Sequence, residues 1–161
     1  MRNTFIKKLI AQSRINKDIY LITSDLGFRS FEPFKKEFPD RFINVGVSEN
    51  NMIGVSAGMA LKSKKVFVYS ILPFLIFRSL EQIRNNVCHN NLDVKLIGGG
   101  GGFSYSVQGI SHNTTEDLSI IRSLPNINVF NPGSNIEAEL ALSSTFNTKG
   151  PSFIRLGKAP S

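Results

Sequence analysis

Six short runs of β-favouring residues, separated by stretches with helical spacing, constrain the fold of this chain more than any other feature. They fall at residues 19–24, 41–45, 66–69, 94–97, 127–130 and 153–156. Runs such as Val66-Phe67-Val68-Tyr69 are apolar on both alternating faces, as strands are when helices cover both sides of a parallel sheet. The pattern predicts an α/β fold: a doubly wound, mainly parallel six-stranded sheet with helices on both faces. With 161 residues, 41% of them hydrophobic, one domain over residues 1–161 with a full core is expected.

The helices carry their own punctuation. Ser48 is placed to cap a helix over residues 49–62, in which Met52, Val55, Met59 and Ala60 recur at helical spacing. Pro73 suits the first turn of a second helix striped by Ile76, Leu80, Ile83 and Val87 and ending near the Asn85/Asn86 and Asn90/Asn91 pairs. Thr114 with Asp117, and Ser134 with Glu137, have capping-box spacing before apolar runs, and Pro125 stops the first of these. The basic first eighteen residues, with Phe5, Ile6, Leu9 and Ile10, read as a helix packing on the sheet.

Composition excludes several classes. A net charge of +7 is scattered along the chain, so a solvated basic surface is expected and nucleic acid is not. The longest apolar stretch, residues 66–77, is broken by Ser70 and Pro73 and falls short of the ~20 residues of a membrane span. Cys88 is the only cysteine, which excludes an internal disulfide and agrees with a reducing compartment, the cytoplasm by default. The five consecutive glycines at 98–102 follow a strand, yet neither a dinucleotide fingerprint nor a phosphate-loop motif is completed, and no nucleophile elbow closes after Ser104. His89 and His112 stand far apart with one remote cysteine, so no metal site is expected within this chain.

Glu49 is different. It opens an apolar, glycine-containing helix directly after a strand, at the carboxyl edge where open α/β sheets bind ligands. Taken alone, it also serves as an acid complementing the helix dipole. Around it, Phe-Ile-Asn-Val-Gly-Val-Ser-Glu-Asn-Asn-Met at 42–52, Gly58-Met59-Ala60, and Phe67-Val68-Tyr69-Ser70 running into Arg78, Glu81 and Gln82 resemble the pyrimidine-binding domain of the transketolase family. Gly109-Ile110-Ser111-His112 with Asp117, Arg122-Ser123-Leu124-Pro125-Asn126, Asn131-Pro132 and Phe153-Ile154-Arg155-Leu156 continue the resemblance, which spans residues 5–158.

The resemblance implies thiamine diphosphate as cofactor, with Glu49 bonding the ring nitrogen of its aminopyrimidine. An acid suits that place because it exchanges a proton, whereas an amide only bonds. It makes Phe74 and Phe77 candidates for packing on that ring, alongside plain core packing. Asp25 matches an acid near the cofactor at a subunit interface, or is an ordinary loop acid. His112 matches a histidine that donates to a substrate oxygen. Arg155 matches a phosphate-binding arginine, and Arg29 adds charge for a phosphorylated substrate. Gln108 stands where many relatives carry an acid that reads a substrate hydroxyl, Gly100 where they place a histidine, and Asn50 where Gln or His is usual. The implied reaction is ketol transfer between sugars or sugar phosphates, with a 2-oxo-acid dehydrogenase β-subunit, a deoxyxylulose-phosphate synthase-like domain or a non-catalytic assembly module as alternatives. The chain has no Gly-Asp-Gly segment with a following Asn to hold Mg²⁺ and the diphosphate. The diphosphate-binding and C-terminal domains are therefore expected to be absent, a partner domain or subunit to carry the Mg²⁺, and the assembly to be a homodimer or hetero-oligomer.

Overall fold

Strands that are apolar on both faces need two helical covers, and the fold supplies them. The computed structural model describes residues 1–157, so the final residue of the resembling stretch, 158, lies outside the described residues. The sheet comprises β1 (Ile19–Thr23), β2 (Phe42–Asn44), β3 (Lys65–Ile71), β4 (Val94–Gly99), β5 (Asn128–Phe130) and β6 (Ser152–Leu156). Their order is β2-β1-β3-β4-β6-β5, and each pairing is parallel. The expected doubly wound sheet is present, entirely parallel among the described residues.

The helices are α1 (Arg2–Ile15), α2 (Glu32–Glu37), α3 (Glu49–Leu61), α4 (Leu72–Phe77), α5 (Leu80–Gln82), α6 (Asp117–Arg122) and α7 (Asn135–Asn147). One core layer joins Met52 and Ile53 of α3 and Leu75 and Ile76 of α4 to Val66, Val68 and Leu96 of the sheet. The other joins Phe5 and Leu9 of α1 and Leu142 of α7 to Leu21, Phe67 and Ile154. Alternate residues of β3 thus face opposite cores, which is the reason its run shows no polar face. The expected packing of the N-terminal helix is borne out. No helix among the described residues is long and apolar enough to cross a membrane.

Local punctuation is partly corrected. Ser134 does cap α7, its Oγ accepting from the Glu137 N–H at 3.1 Å, while the Glu137 carboxylate accepts from the Gly133 N–H. Ser48 occupies the N-cap of α3 without a side-chain capping bond: its backbone sits at φ −154, ψ 68, outside the extended conformation usual for a cap, and its own N–H closes a tight turn onto the Gly46 carbonyl. Thr114 caps nothing: Glu116 is the N-cap of α6, and Thr114 exchanges backbone bonds with Gly102. The single helix expected after Pro73 breaks at Ser79, whose hydroxyl donates to the Leu75 carbonyl, and resumes as α5 and a π-helical segment, Ile83–Cys88. That wider turn keeps Ile76, Ile83 and Val87 of the expected stripe buried in one core.

The topology also fixes where a ligand can sit. The chain runs from β1 to β2 on one side, then crosses back to β3 on the other, so the winding reverses between β1 and β3. Outside the carboxyl ends of those two strands lies the crevice that doubly wound sheets offer to ligands.

Candidate functional site

Ser24, directly after β1, and Ser70, near the end of β3, bring their hydroxyls to 3.5 Å across that crevice. The loop after β2 delivers Glu49 to the same point. Gly46 turns it at φ +76, and the Asn44 side-chain oxygen accepts from both the Asp25 N–H (2.8 Å) and the Gly46 N–H (3.0 Å). One amide thereby ties the loops after β1 and β2 together and fixes where α3 begins.

Glu49 is only 3% exposed at the N-terminus of α3. Its Oε1 accepts from Ser24 Oγ at 3.1 Å, and its Oε2 from Arg78 Nη1 at 3.1 Å. Carboxylate oxygens this buried need such partners in place of water. Arg78 lies just past α4, four residues after Phe74, a spacing that puts both on one helical side. Its guanidinium carbon stands 4.0 Å from the Phe74 ring centroid, and that ring meets the His112 imidazole edge to face, with centroids 4.9 Å apart. Glu49, Arg78, Phe74 and His112 therefore form one continuous line of contacts.

His112 arrives from the opposite direction, on the loop that follows β4. It ends a short 3-10 turn, Ile110–His112, and its Nδ1 lies 3.0 Å from Ser111 Oγ. Where the chain leaves β4 for this loop, residues 98–101 have no room for side chains. A Cβ at Gly98 would collide with Leu72, and one at Gly101 with the Arg155 guanidinium. Arg155 itself pairs with Asp117, Nε to Oδ2 at 2.6 Å.

The remaining predicted site residues border this edge without joining the line of contacts. Asp25 is exposed, at φ +55, and accepts from the Asn44 side-chain N–H at 3.1 Å. Arg29 and Gln108 are exposed. Phe77 is 45% exposed and stands outside the Phe74–His112 contact. Sequence reasoning assigned no role to Ser24, Ser70 or Arg78. The spacing of an aromatic and a cation four apart, at 74 and 78, was the available signal for Arg78; the serines became visible only when the strands were placed side by side.

On the other face of the sheet, a cavity of about 280 Å³ lies among Arg2, Tyr69, Gly99, Gly100 and Tyr105. Burial pushes the Tyr69 phenol up, which nearby Arg2 opposes only in part. None of the predicted site residues lines it. Among the described residues, no three His, Cys, Asp or Glu side chains gather as metal ligands would.

The profile of the family described as "Transketolase, pyrimidine binding domain" matches residues 1–160. The chain is 35% identical to one of the subunits of an apulose-4-phosphate transketolase of Actinobacillus succinogenes, over 97% of this chain and 50% of that protein. It is also 35% identical to a putative transketolase C-terminal section of Methanocaldococcus jannaschii, again over 97% of this chain and 50% of the relative. A solved split-gene transketolase, an inactive beta4 tetramer, superposes with a TM-score of 0.87 at 33% identity, covering 99% of this chain and 52% of its own. The chain thus spans about half the length of these relatives.

Proposed function

Because this chain belongs to the transketolase family, through its pyrimidine-binding domain, we propose that it supplies the proton-transfer half of a thiamine diphosphate site in a ketol-transferring enzyme. The observation that carries the reading is the buried Glu49 carboxylate at the point where the sheet winding reverses. The residues fit an aminopyrimidine. Each Glu49 oxygen accepts one bond and retains a second lone pair for a ring N–H. Phe74 offers an aromatic surface beside it.

Thiamine diphosphate, when bound, supplies a thiazolium carbon that attacks a ketose carbonyl and carries a two-carbon unit. What this chain contributes is control of protons and position. Glu49 holds a proton at its carboxylate and returns it to the ring nitrogen. Ser24 and Arg78 fix the carboxylate so that one orientation is presented. His112, held against Phe74, donates to an oxygen of the substrate. Gln108 and Arg29, at the exposed rim, meet the sugar or sugar phosphate, and Asp25 and Phe77 face the neighbouring surface near the cofactor.

A partner is required to complete the site. Phe28, Val47, Phe103, Val107 and Ile110 are exposed on the connections that follow β1, β2 and β4, and Phe77 is exposed at the end of α4, which follows β3. A cluster of large apolar side chains around a catalytic crevice is the mark of a docking surface. The proposed occupant is the domain or subunit that grips the diphosphate and its Mg²⁺.

The test is reconstitution: this chain, a diphosphate-binding subunit from the same organism, thiamine diphosphate and Mg²⁺, assayed for two-carbon transfer from a ketose phosphate to an aldose. Turnover is expected from the wild type, and none from Glu49→Gln, whose amide bonds but exchanges no proton. Substantial turnover by that variant refutes the assignment.

A further inference from the structure

We infer that Arg155 and Asp117 are a positioning pair that sets where His112 stands, and that the Arg155 guanidinium is not a receptor for a substrate anion. The catalytic consequence rests on the proposed role of His112; the geometry does not. Arg155 belongs to β6 and lies in register with Gly98 of β4. From there its side chain reaches across the end of β4, where residues 98 and 99 are both glycines. Its Nε donates to Asp117 Oδ2 at 2.6 Å and its Nη2 to Oδ1 at 3.4 Å, so one guanidinium engages both oxygens. The Asp117 side chain is 1% exposed and that of Arg155 22%.

The pair pins both ends of one loop. At the entry, the guanidinium fills the space that a side chain at 101 would need, so Gly101 is glycine because Arg155 is there. At the exit, Asp117 is the first residue of α6. Between them, Gly102 and Thr114 exchange two backbone bonds, N–H to carbonyl at 2.7 and 3.1 Å, closing residues 103–113 into a loop. His112 stands just inside that closure and touches Phe74. No side-chain cap holds the start of α6, and the Thr114 hydroxyl is buried without a partner; the ion pair is a charge-assisted link from the loop base to β6. The fork commits the Nε–H and one Nη2–H of Arg155 to a buried carboxylate, so an anion that competed for those two donors would leave that charge uncompensated.

The inference is tested by NMR on the 161-residue chain with Asp117→Asn and Arg155→Lys. In Asp117→Asn, the His112 ring protons are expected to lose the shift imposed by Phe74. Amide exchange at 103–113 should quicken about tenfold while β3 and β4 keep their protection. Arg155→Lys keeps the charge but not the fork, and should fall between the two. Inorganic phosphate added to the wild type should leave the Arg155 Nε–H signal in place. Unchanged His112 signals in both variants overturn the inference, as does saturable movement of that N–H with phosphate. Loss of protection throughout the sheet in both variants also overturns it, since the pair would then be a general stabiliser. None of these readouts needs partner or cofactor, so a failed reconstitution beside the expected His112 shifts counts against the catalytic reading alone.

Discussion

A carboxylate kept for chemistry and one kept for stability respond differently to losing their charge, and Glu49→Gln distinguishes them without any partner. In the substituted protein the amide oxygen still accepts from Ser24, while the amide nitrogen faces Arg78, donor against donor. The lost bond to Arg78 is charge-assisted and contributes roughly 1.5–3 kcal/mol. Against this, the wild type bears the desolvation of a carboxylate only 3% exposed, an effective penalty of several kcal/mol for a buried ion. Arg78, whose side chain is 48% exposed, turns to water when released, so the variant does not bury an unpaired cation.

These terms nearly cancel, and Glu49→Gln should unfold within about 1 kcal/mol of the wild type, on either side. The chain has no Trp, so urea unfolding is best followed by far-UV circular dichroism, with the midpoint compared at equal slope. A loss greater than about 3 kcal/mol would show that the Ser24–Glu49–Arg78 network holds the crevice together. That result would refute the argument that this carboxylate is maintained at a cost to stability for its proton chemistry. Unchanged stability together with lost turnover is the signature of a group whose work lies in the reaction.

Buried titratable groups away from the site give further outcomes. Lys95, fully buried near the start of β4, pairs with Asp93 at 2.8 Å and donates to the carbonyls of Thr148 and Gly150 just beyond α7; Lys65 also reaches Asp93 and Thr148, so Lys95→Met should cost roughly 1–3 kcal/mol, chiefly by orphaning the Gly150 carbonyl. Burial lowers the Lys95 pKa, so the unfolded chain binds the extra proton, and the stability advantage of wild type over Lys95→Met should widen as the pH rises through the lowered folded-state pKa towards ~10.4 in parallel urea titrations; a gap that narrows there contradicts the assignment. Burial also pushes the Cys88 thiol up to about 11, so it should resist a thiol-reactive disulfide reagent at pH 8 and react much faster in denaturant; rapid native labelling would contradict its packing.

What could be read from the chain, and what could not, follows from the range of the interactions. The strands were legible because burial on both faces leaves its mark residue by residue, as at Val66-Phe67-Val68-Tyr69, where neighbouring side chains enter opposite cores. The cap at Ser134 was legible because its partner, Glu137, lies within one turn. Thr114 and Asp117 carry the same spacing, yet a longer-range competitor prevailed: the Asp117 carboxylate is drawn to Arg155, 38 positions away, and Thr114 is taken up by a bridge to Gly102. The site divides in the same way. Glu49 could be singled out as an acid at a strand-to-helix junction, but its meaning depends on Ser24, 25 positions before it, and on Arg78, 29 after it. An uninterrupted helix would have carried the stripe from Ile76 to Val87 unbroken. The break at Ser79 follows Arg78 directly, at the point where its guanidinium reaches Glu49, so the feature that local periodicity failed to predict stands beside the group that orients the acid.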